Sequence, residues 1–175
     1  MEPYLEFAKK LALEAGEIAL HYFGFETEST RKEDNTPLTV ADTEINDLVI
    51  KRISAAYPNH SIYGEESSEI KEGSEYIRVC DPIDGTMAFS CGIPSFVFSL
   101  ALVDQSNGQP VLGVIYDPIM KNMYWAHKGS GAYRNDKKIS VSQDTSLKNT
   151  YLNTGSTGKS LGFSVLPLIQ ALRER

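Results

Sequence analysis

Histidine, cysteine and tryptophan are scarce in this chain of 175 residues, which contains three, two and one of them. Two cysteines are too few for a disulfide framework, and Cys80 and Cys91 lack the paired spacing of a zinc site. No histidine stands near either cysteine in the sequence, which argues against a catalytic thiol. We therefore expect two reduced cysteines and a functional site built from other residue types.

The chain also lacks an excess of basic residues and a long apolar run. Its 17 lysines and arginines against 23 aspartates and glutamates give a net charge of −6, which disfavours nucleic acid polymers as partners. Charged residues recur through the first 20 positions, which argues against a signal peptide, and no apolar stretch is long enough to span a membrane. We expect a cytoplasmic protein without a membrane partner.

Two helices are predicted in the N-terminal third of the chain. Apolar residues recur at three- and four-residue steps between Pro3 and Gly24, which indicates an amphipathic helix. A second apolar period follows the sequence Thr39-Val40-Ala41-Asp42, which is typical of a capping box, and ends at Tyr57-Pro58. The first helix is expected to serve packing.

The middle of the chain has the composition of strands. Residues 76–80 form a β-prone run that Pro82 is expected to stop. Three further runs rich in β-branched and aromatic residues are joined by short turns, which favours antiparallel neighbours; they cover residues 96–103, 111–116 and 122–126. Weaker patterns predict strands over 139–141 and 151–153 and a helix over 161–172. The pattern predicts an α+β fold, with paired N-terminal helices on one side of a mostly antiparallel sheet.

The most informative segment is Asp81-Pro82-Ile83-Asp84-Gly85-Thr86, which lies downstream of Gly64-Glu65-Glu66-Ser67. Two carboxylates about 4 Å apart repel by roughly 4 kcal/mol in a partly buried site, so they take up a proton or a cation. Without a nearby histidine the available ligands are all oxygens, including the Ile83 carbonyl, which favours Mg²⁺ or Mn²⁺ over Zn²⁺. The sequence therefore predicts a divalent-cation site. Taken alone, each Asp-Pro or Asp-Gly pair is an ordinary surface turn.

The end of this segment has turn and cap chemistry. Gly85 tolerates the positive φ that a sharp turn requires. Thr86 is placed to cap a short helix over residues 87–90, whose free N–H groups would receive an anion. The second feature predicts a place for an anion next to the acidic segment.

The chain resembles the inositol monophosphatase family of Mg²⁺-dependent, lithium-sensitive phosphatases. The matching pieces are Lys32, Thr39-Val40-Ala41-Asp42, Gly64-Glu65-Glu66-Ser67, the hexapeptide from Asp81 to Thr86, Gly113-Val114-Ile115-Tyr116-Asp117-Pro118 and Gly129-Ser130-Gly131-Ala132. The resemblance implies the layered α/β sandwich of the sugar phosphatases, with a metal-binding domain over residues 1–145. Residues 146–175 would begin a second α/β domain that is incomplete.

The same resemblance implies roles for individual residues. The metal ligands would be the side chains of Glu65, Asp81 and Asp84 and the carbonyl of Ile83. Asp42 and Thr86 would orient the attacking water, with Glu65 as a third catalytic group, while Gly85 and Thr86 would receive the substrate phosphate. Glu66 and Lys32 are fainter matches. Each residue also has a plain alternative: Asp42 as a helix-terminal acid, Thr86 as a cap and Lys32 as a solvated side chain.

The resemblance implies a Mg²⁺-dependent phosphomonoesterase, expected as a homodimer, that acts on inositol monophosphate or a related small phosphorylated metabolite. Histidinol phosphate is an alternative, because the segment from Ala88 to Pro94 also resembles histidinol-phosphate phosphatases; 3′-phosphoadenosine 5′-phosphate and fructose 1,6-bisphosphate are others. Family members continue into a domain whose Trp-Asp motif completes the second metal site, whereas Trp125 is followed here by Ala126. A non-catalytic metal- or partner-binding fragment is therefore the alternative of another class.

Overall fold

The computed structural model describes residues 1–24, 27, 29–32 and 37–145. The strand predicted over 151–153, the helix predicted over 161–172 and the domain predicted over 146–175 lie outside the described residues. The chain divides into two compact units, Met1–Ser140 and Val141–Arg175, and every helix and strand given below belongs to the first.

Within the described residues, the helices are α1 (Glu2–Tyr22), α2 (Val40–Ala56) and α3 (Thr86–Ser90). The strands are β1 (Ser29–Arg31), β2 (Pro37–Thr39), β3 (Ser61–Gly64), β4 (Ser68–Glu69), β5 (Tyr76–Asp84), β6 (Val97–Asp104), β7 (Gln109–Asp117), β8 (Asn122–His127), β9 (Gly131–Arg134) and β10 (Lys137–Ile139).

The two predicted N-terminal helices are confirmed. One face of α1 is buried along its length; it consists of Leu5, Ala8, Leu11, Ala12, Ala15, Gly16 and Ala19. The predicted capping box opens α2, because the Thr39 side chain accepts from the Asp42 backbone N–H and the Asp42 carboxylate accepts from the Thr39 N–H. The helices pack on each other, α1 on β6 and β7, and α2 on β5. The described residues contain no helix long and apolar enough to cross a membrane.

A mixed, mostly antiparallel sheet forms the centre of the unit, in the order β10-β9-β8-β7-β6-β5-β3-β4. The pairing of β3 with β5 is parallel, whereas the other neighbours in the sheet run antiparallel. Strands β1 and β2 pair separately as an antiparallel ladder. The α+β fold predicted from the sequence is confirmed.

Two strand boundaries were predicted wrongly. Pro82 does not stop β5, which continues to Asp84, because the pairing register with β6 shifts between Asp81 and Asp84. A proline is tolerated at such an irregularity, since no ladder hydrogen bond is needed from it. The strand predicted over 139–141 lies earlier in the chain, at Lys137–Ile139. The turn that follows β9 is short, so Lys137 already lies opposite Arg134.

The parallel pair β3 and β5 determines where the acidic motifs meet. Gly64 lies opposite Cys80 in the register of these strands, and the Glu65 N–H donates to the Cys80 carbonyl at 3.1 Å. Glu65 follows Gly64 directly after the end of β3, and Asp81 follows Cys80 within β5, so the two residues lie side by side where β3 ends.

Candidate metal and phosphate site

Asp81 carries the less satisfied carboxylate of this pair. Its Oδ1 is buried and accepts no hydrogen bond from the described residues. Burial raises the pKa of the Asp81 carboxyl, and the neighbouring Glu65 and Asp84 carboxylates raise it further, to about 7. A buried acceptor beside like charges favours binding of a proton or a cation.

Lys32 follows β1 and brings a positive charge to the same place. Its Nζ lies 2.7 Å from Glu65 Oε1 and 2.6 Å from Glu66 Oε1. Burial lowers the pKa of Lys32, but its hydrogen bonds to Glu65 and Glu66 outweigh that effect, so the net pKa is raised. Burial raises the pKa of Glu66, which Lys32 partly offsets. The structure therefore brings together Lys32, Glu65 and Glu66.

Asp42 and Thr86 meet although they are 44 positions apart in the chain. Thr86 Oγ1 lies 3.3 Å from Asp42 Oδ1 and 2.9 Å from the Ile83 carbonyl oxygen. Asp42 is fully buried, which raises the pKa of its carboxyl, although hydrogen bonds from Thr39 and Thr86 act in the opposite direction. Asp42 is thus both the helix-terminal acid of α2 and a neighbour of the Thr86 hydroxyl.

The cap of α3 differs from the prediction. Thr86 was expected to cap this helix, but the N-cap is Gly85, which makes no side-chain cap bond. The Thr86 hydroxyl is engaged instead by Ile83 and Asp42. The predicted positive φ of Gly85 is confirmed at 105°, and a Cβ at this position would lie 2.7 Å from the Ser95 carbonyl oxygen.

The predicted ligands do not form a closed cluster. In the part of the chain that the structure describes, no three His, Cys, Asp or Glu side chains come close enough together to hold a metal ion. Asp84 is exposed, whereas the Ile83 residue is buried with its carbonyl turned to Thr86. The donor set is nevertheless all oxygen and includes the unpartnered Asp81 Oδ1, which fits a hard divalent cation such as Mg²⁺.

Asn46 is a residue of this region that the sequence patterns did not identify. It lies on α2 with 1% of its surface exposed, and its amide donates to Ser67. Ser67 lies in the acidic loop, the segment between β3 and β4 that carries Glu65 and Glu66. Its position four residues after Asp42, on the same helix face, is the pattern that would have found it.

Cys80 and Cys91 are both free, as predicted. Burial raises the pKa of the Cys80 thiol, which keeps it protonated beside the acidic residues.

Comparison with known proteins places this geometry in a family. The sequence model of the inositol monophosphatase family matches residues 1–162. A histidinol-phosphatase from Chlorobaculum parvum is 38% identical over 143 residues, which are 81% of this chain and 54% of the relative. A fructose-1,6-bisphosphatase/inositol-1-monophosphatase from Aquifex aeolicus is 33% identical over 162 residues, which are 91% of this chain and 61% of the relative.

Solved structures agree with the sequence relatives. An extragenic suppressor protein suhB from Bartonella henselae superposes with a TM-score of 0.76 at 32% identity, over 81% of this chain and 55% of that one. An IMPase from Thermotoga maritima gives a TM-score of 0.75 at 32% identity, over 82% and 55% of the two chains. The chain spans between half and two thirds of the length of these relatives. This chain belongs to the inositol monophosphatase family.

Proposed function

We propose that the chain carries the metal-binding and water-orienting residues of a Mg²⁺-dependent phosphomonoesterase. The observation that carries the proposal is the unpartnered, buried Oδ1 of Asp81, which lies in an acidic group with Glu65 and Asp84. In this proposal the side chains of Glu65, Asp81 and Asp84 and the carbonyl of Ile83 are the ligands. Mn²⁺ is a chemically equivalent occupant, because it accepts the same oxygen ligands.

When bound, a divalent cation lowers the pKa of water and offsets the charge of a phosphate group. That charge matters here because the chain has a net charge of −6 and would otherwise repel a phosphate ester. Lys32 supplies further positive charge beside Glu65 and Glu66.

Asp42 and Thr86 are proposed to orient the attacking water. When the Thr86 hydroxyl donates to Asp42 Oδ1, its lone pairs remain available to accept a hydrogen bond from water. The water oxygen would then face the phosphorus and form the new P–O bond as the ester P–O bond breaks. The water loses one proton and the leaving oxygen takes up one, so the products are the alcohol and inorganic phosphate. Gly85 and Thr86 are proposed to lie against the phosphate, as the family resemblance implies.

The substrate is proposed to be inositol monophosphate or a related small phosphate ester. Histidinol phosphate is the second candidate, favoured by the segment from Ala88 to Pro94 and by similarity to the Chlorobaculum parvum relative named histidinol-phosphatase. We further propose a homodimer located in the cytoplasm; light scattering on the purified protein tests the oligomeric state.

A second class of function is a metal- or partner-binding module without turnover. It is favoured for this 175-residue chain by one feature of the sequence, since no Trp-Asp pair is present to supply the further carboxylate that the family resemblance implies. The two classes differ in whether phosphate is released.

Phosphate release from inositol 1-phosphate, histidinol phosphate, fructose 1,6-bisphosphate and 3′-phosphoadenosine 5′-phosphate tests the proposal. We expect Mg²⁺-dependent release from a longer form that contains a Trp-Asp motif, and much slower release from the 175-residue chain. Turnover by the short chain at about 1 per second or faster would show that no further carboxylate is needed. No release by the longer form from any of the four esters would reject the phosphatase and favour the binding module.

A further inference from the structure

Asn46 connects α2 to the loop that carries Glu65 and Glu66. Its Nδ2 lies 2.6 Å from Ser67 Oγ and 3.3 Å from the Ser67 carbonyl oxygen. The carbonyl can only accept, so the amide nitrogen must face it. The loop is therefore fixed to α2 immediately after its two carboxylates.

Gly64 shows that the loop is held close to this amide. A Cβ on Gly64 would lie 2.2 Å from Asn46 Oδ1 and 2.4 Å from the Ser67 carbonyl oxygen. Only glycine allows the backbone to approach so closely. The start of the loop is held as well, because the Glu65 N–H donates to the Cys80 carbonyl.

The chemistry of Asn46 suits this position better than that of similar side chains. Its Oδ1 is buried and has no partner within the described residues, a cost that is offset by the two donor bonds from the other end of the amide. An aspartate would provide neither donor bond, and it would place another negative charge beside Glu65 and Glu66. A leucine would leave both Ser67 acceptors without this donor.

Helix α2 thus presents two polar residues to two different segments, the start of α3 and the loop after β3. Asp42, in the first turn, contacts Thr86, and Asn46, one turn later, contacts Ser67. The spacing of one helical turn sets the distance between the hydroxyl that would orient water and the carboxylates that would bind the cation.

We propose that Asn46 is a positioning residue of the cation site, which acts through Ser67 to place the Glu65 and Glu66 carboxylates. The inference rests on the proposed function, because Glu65 is a ligand only if the site binds a divalent cation. Hydrogen-bond partners beyond the ligands themselves commonly change metal affinity by about 10- to 100-fold when they are removed.

Isothermal titration of Mg²⁺ into the 175-residue chain tests the proposal without measuring activity. Asn46→Ala is expected to weaken Mg²⁺ binding about tenfold. Ile53→Ala is the matched control, because it removes a fully buried side chain about two turns further along α2, away from the acidic loop. The control is expected to lower the unfolding temperature while leaving Mg²⁺ affinity within about twofold of the unsubstituted chain, since no ligand contact is lost.

Ser67→Ala provides a second variant if Asn46→Ala does not fold. It removes the Oγ contact at 2.6 Å and retains the carbonyl contact, so a smaller loss of Mg²⁺ affinity is expected. Combining Ser67→Ala with Asn46→Ala should add less than the sum of the two losses, because both variants break the same bond.

Three results would overturn the inference. Unchanged Mg²⁺ affinity in both Asn46→Ala and Ser67→Ala would show that the contact does not position the carboxylates. An equal loss in Ile53→Ala would show that the effect is one of general stability. Absence of Mg²⁺ binding by the unsubstituted chain would reject the proposed function and this inference with it, whereas the first two results leave the proposed function standing.

Discussion

Asp84 and Thr86 are separated by one residue, but their surroundings give them different roles. Asp84 is exposed and contributes charge to the acidic group, whereas the Thr86 hydroxyl is held between Asp42 and the Ile83 carbonyl. In the proposed mechanism the first residue binds the cation and the second orients water. Their loss should therefore be visible in different measurements.

Asp84→Asn should abolish both the Mg²⁺ response and hydrolysis, because it removes a ligand charge. Thr86→Ala should leave Mg²⁺ affinity nearly unchanged and slow turnover by about 100-fold or more, because a hydroxyl that orients water acts mainly in the transition state. Titration calorimetry on the 175-residue chain measures Mg²⁺ affinity, and phosphate release by the longer form that contains a Trp-Asp motif measures turnover. Together the two measurements separate the effects. Full activity in Asp84→Asn is incompatible with the mechanism.

Gly85 allows a second prediction at the level of a single residue. Its φ of 105° is strained for any other residue, and a Cβ would lie 2.7 Å from the Ser95 carbonyl oxygen. Gly85→Ala should therefore reduce the free energy of unfolding by about 3 kcal/mol. Urea unfolding monitored by fluorescence measures the loss.

Gly108→Ala is the matched control for Gly85→Ala. Gly108 also has a positive φ, of 67°, but nothing lies within 4 Å of an added Cβ. Its substitution should cost only the backbone preference, about 1 kcal/mol. Equal losses in the two variants would show that contact with Ser95 does not limit this position.

The elements that could be predicted from the sequence are those with long apolar patterns. Each of these elements buries one face, and its apolar pattern extends over six or more residues. The pattern has the helical period in α1 and α2, and it alternates in β6, β7 and β8. The short strands β3, β4, β9 and β10 carry two to four residues each, too few for a period to stand out. Their position depends on neighbours that are distant in the chain.

The candidate site likewise has a part that the sequence reveals and a part that depends on the fold. The hexapeptide from Asp81 to Thr86 is a local signal, so its residues could be identified from sequence alone. The side-by-side placement of Glu65 and Asp81 depends on the parallel pairing of β3 with β5, which no local pattern reveals. Asn46 was missed because its spacing of four residues from Asp42 carries information only when Asp42 is already placed at the site.

Where α1, α2 and β5 meet, aromatic side chains enclose two basic groups. Arg78 is fully buried, with its guanidinium 4.4 Å from the centre of the Tyr57 ring, and His60 stacks on the same ring at 5.0 Å. Burial lowers the pKa of His60, and the charge of Arg78 lowers it further. The folded protein therefore favours neutral His60.

This arrangement predicts that the contribution of His60 to stability falls in mild acid. Below the ordinary histidine pKa of 6.5 the unfolded chain takes up a proton that folded His60 resists, so this contribution to the free energy of unfolding decreases as the pH falls from 7 to 5, whereas the raised pKa of Asp81 acts in the opposite direction. His60→Gln keeps a hydrogen-bond acceptor for Arg78 Nε but does not titrate, so the stability of this variant relative to the unsubstituted chain should rise as the pH falls from 7 to 5. Urea unfolding at pH 5, 6 and 7 provides the comparison.

His21 is the control for His60, because it is exposed at the end of α1. His21→Gln should retain the pH dependence of the unsubstituted chain. A relative rise of the same size in both variants would contradict the role assigned to the buried imidazole.

At the scale of the whole molecule, charge and architecture act together. The net charge is −6, and the parallel pair of β3 and β5 brings together acidic residues that repel one another unless Lys32, a proton or a cation intervenes. A ligand that binds only the folded state stabilises it by mass action. Cation binding beside these strands should therefore be visible in the unfolding of the whole unit.

Scanning calorimetry of the 175-residue chain, with and without Mg²⁺, tests the central claim most directly, and Asp81→Asn is the comparison. At about 10 mM Mg²⁺ the unfolding temperature of the unsubstituted chain should rise by several degrees, because the cation binds only the folded state. Asp81→Asn should unfold at the same or a higher temperature without the cation, since a repulsive charge is removed, and should not respond to Mg²⁺. An unchanged unfolding temperature in the unsubstituted chain, or an equal rise in Asp81→Asn, would contradict a divalent-cation site at Asp81.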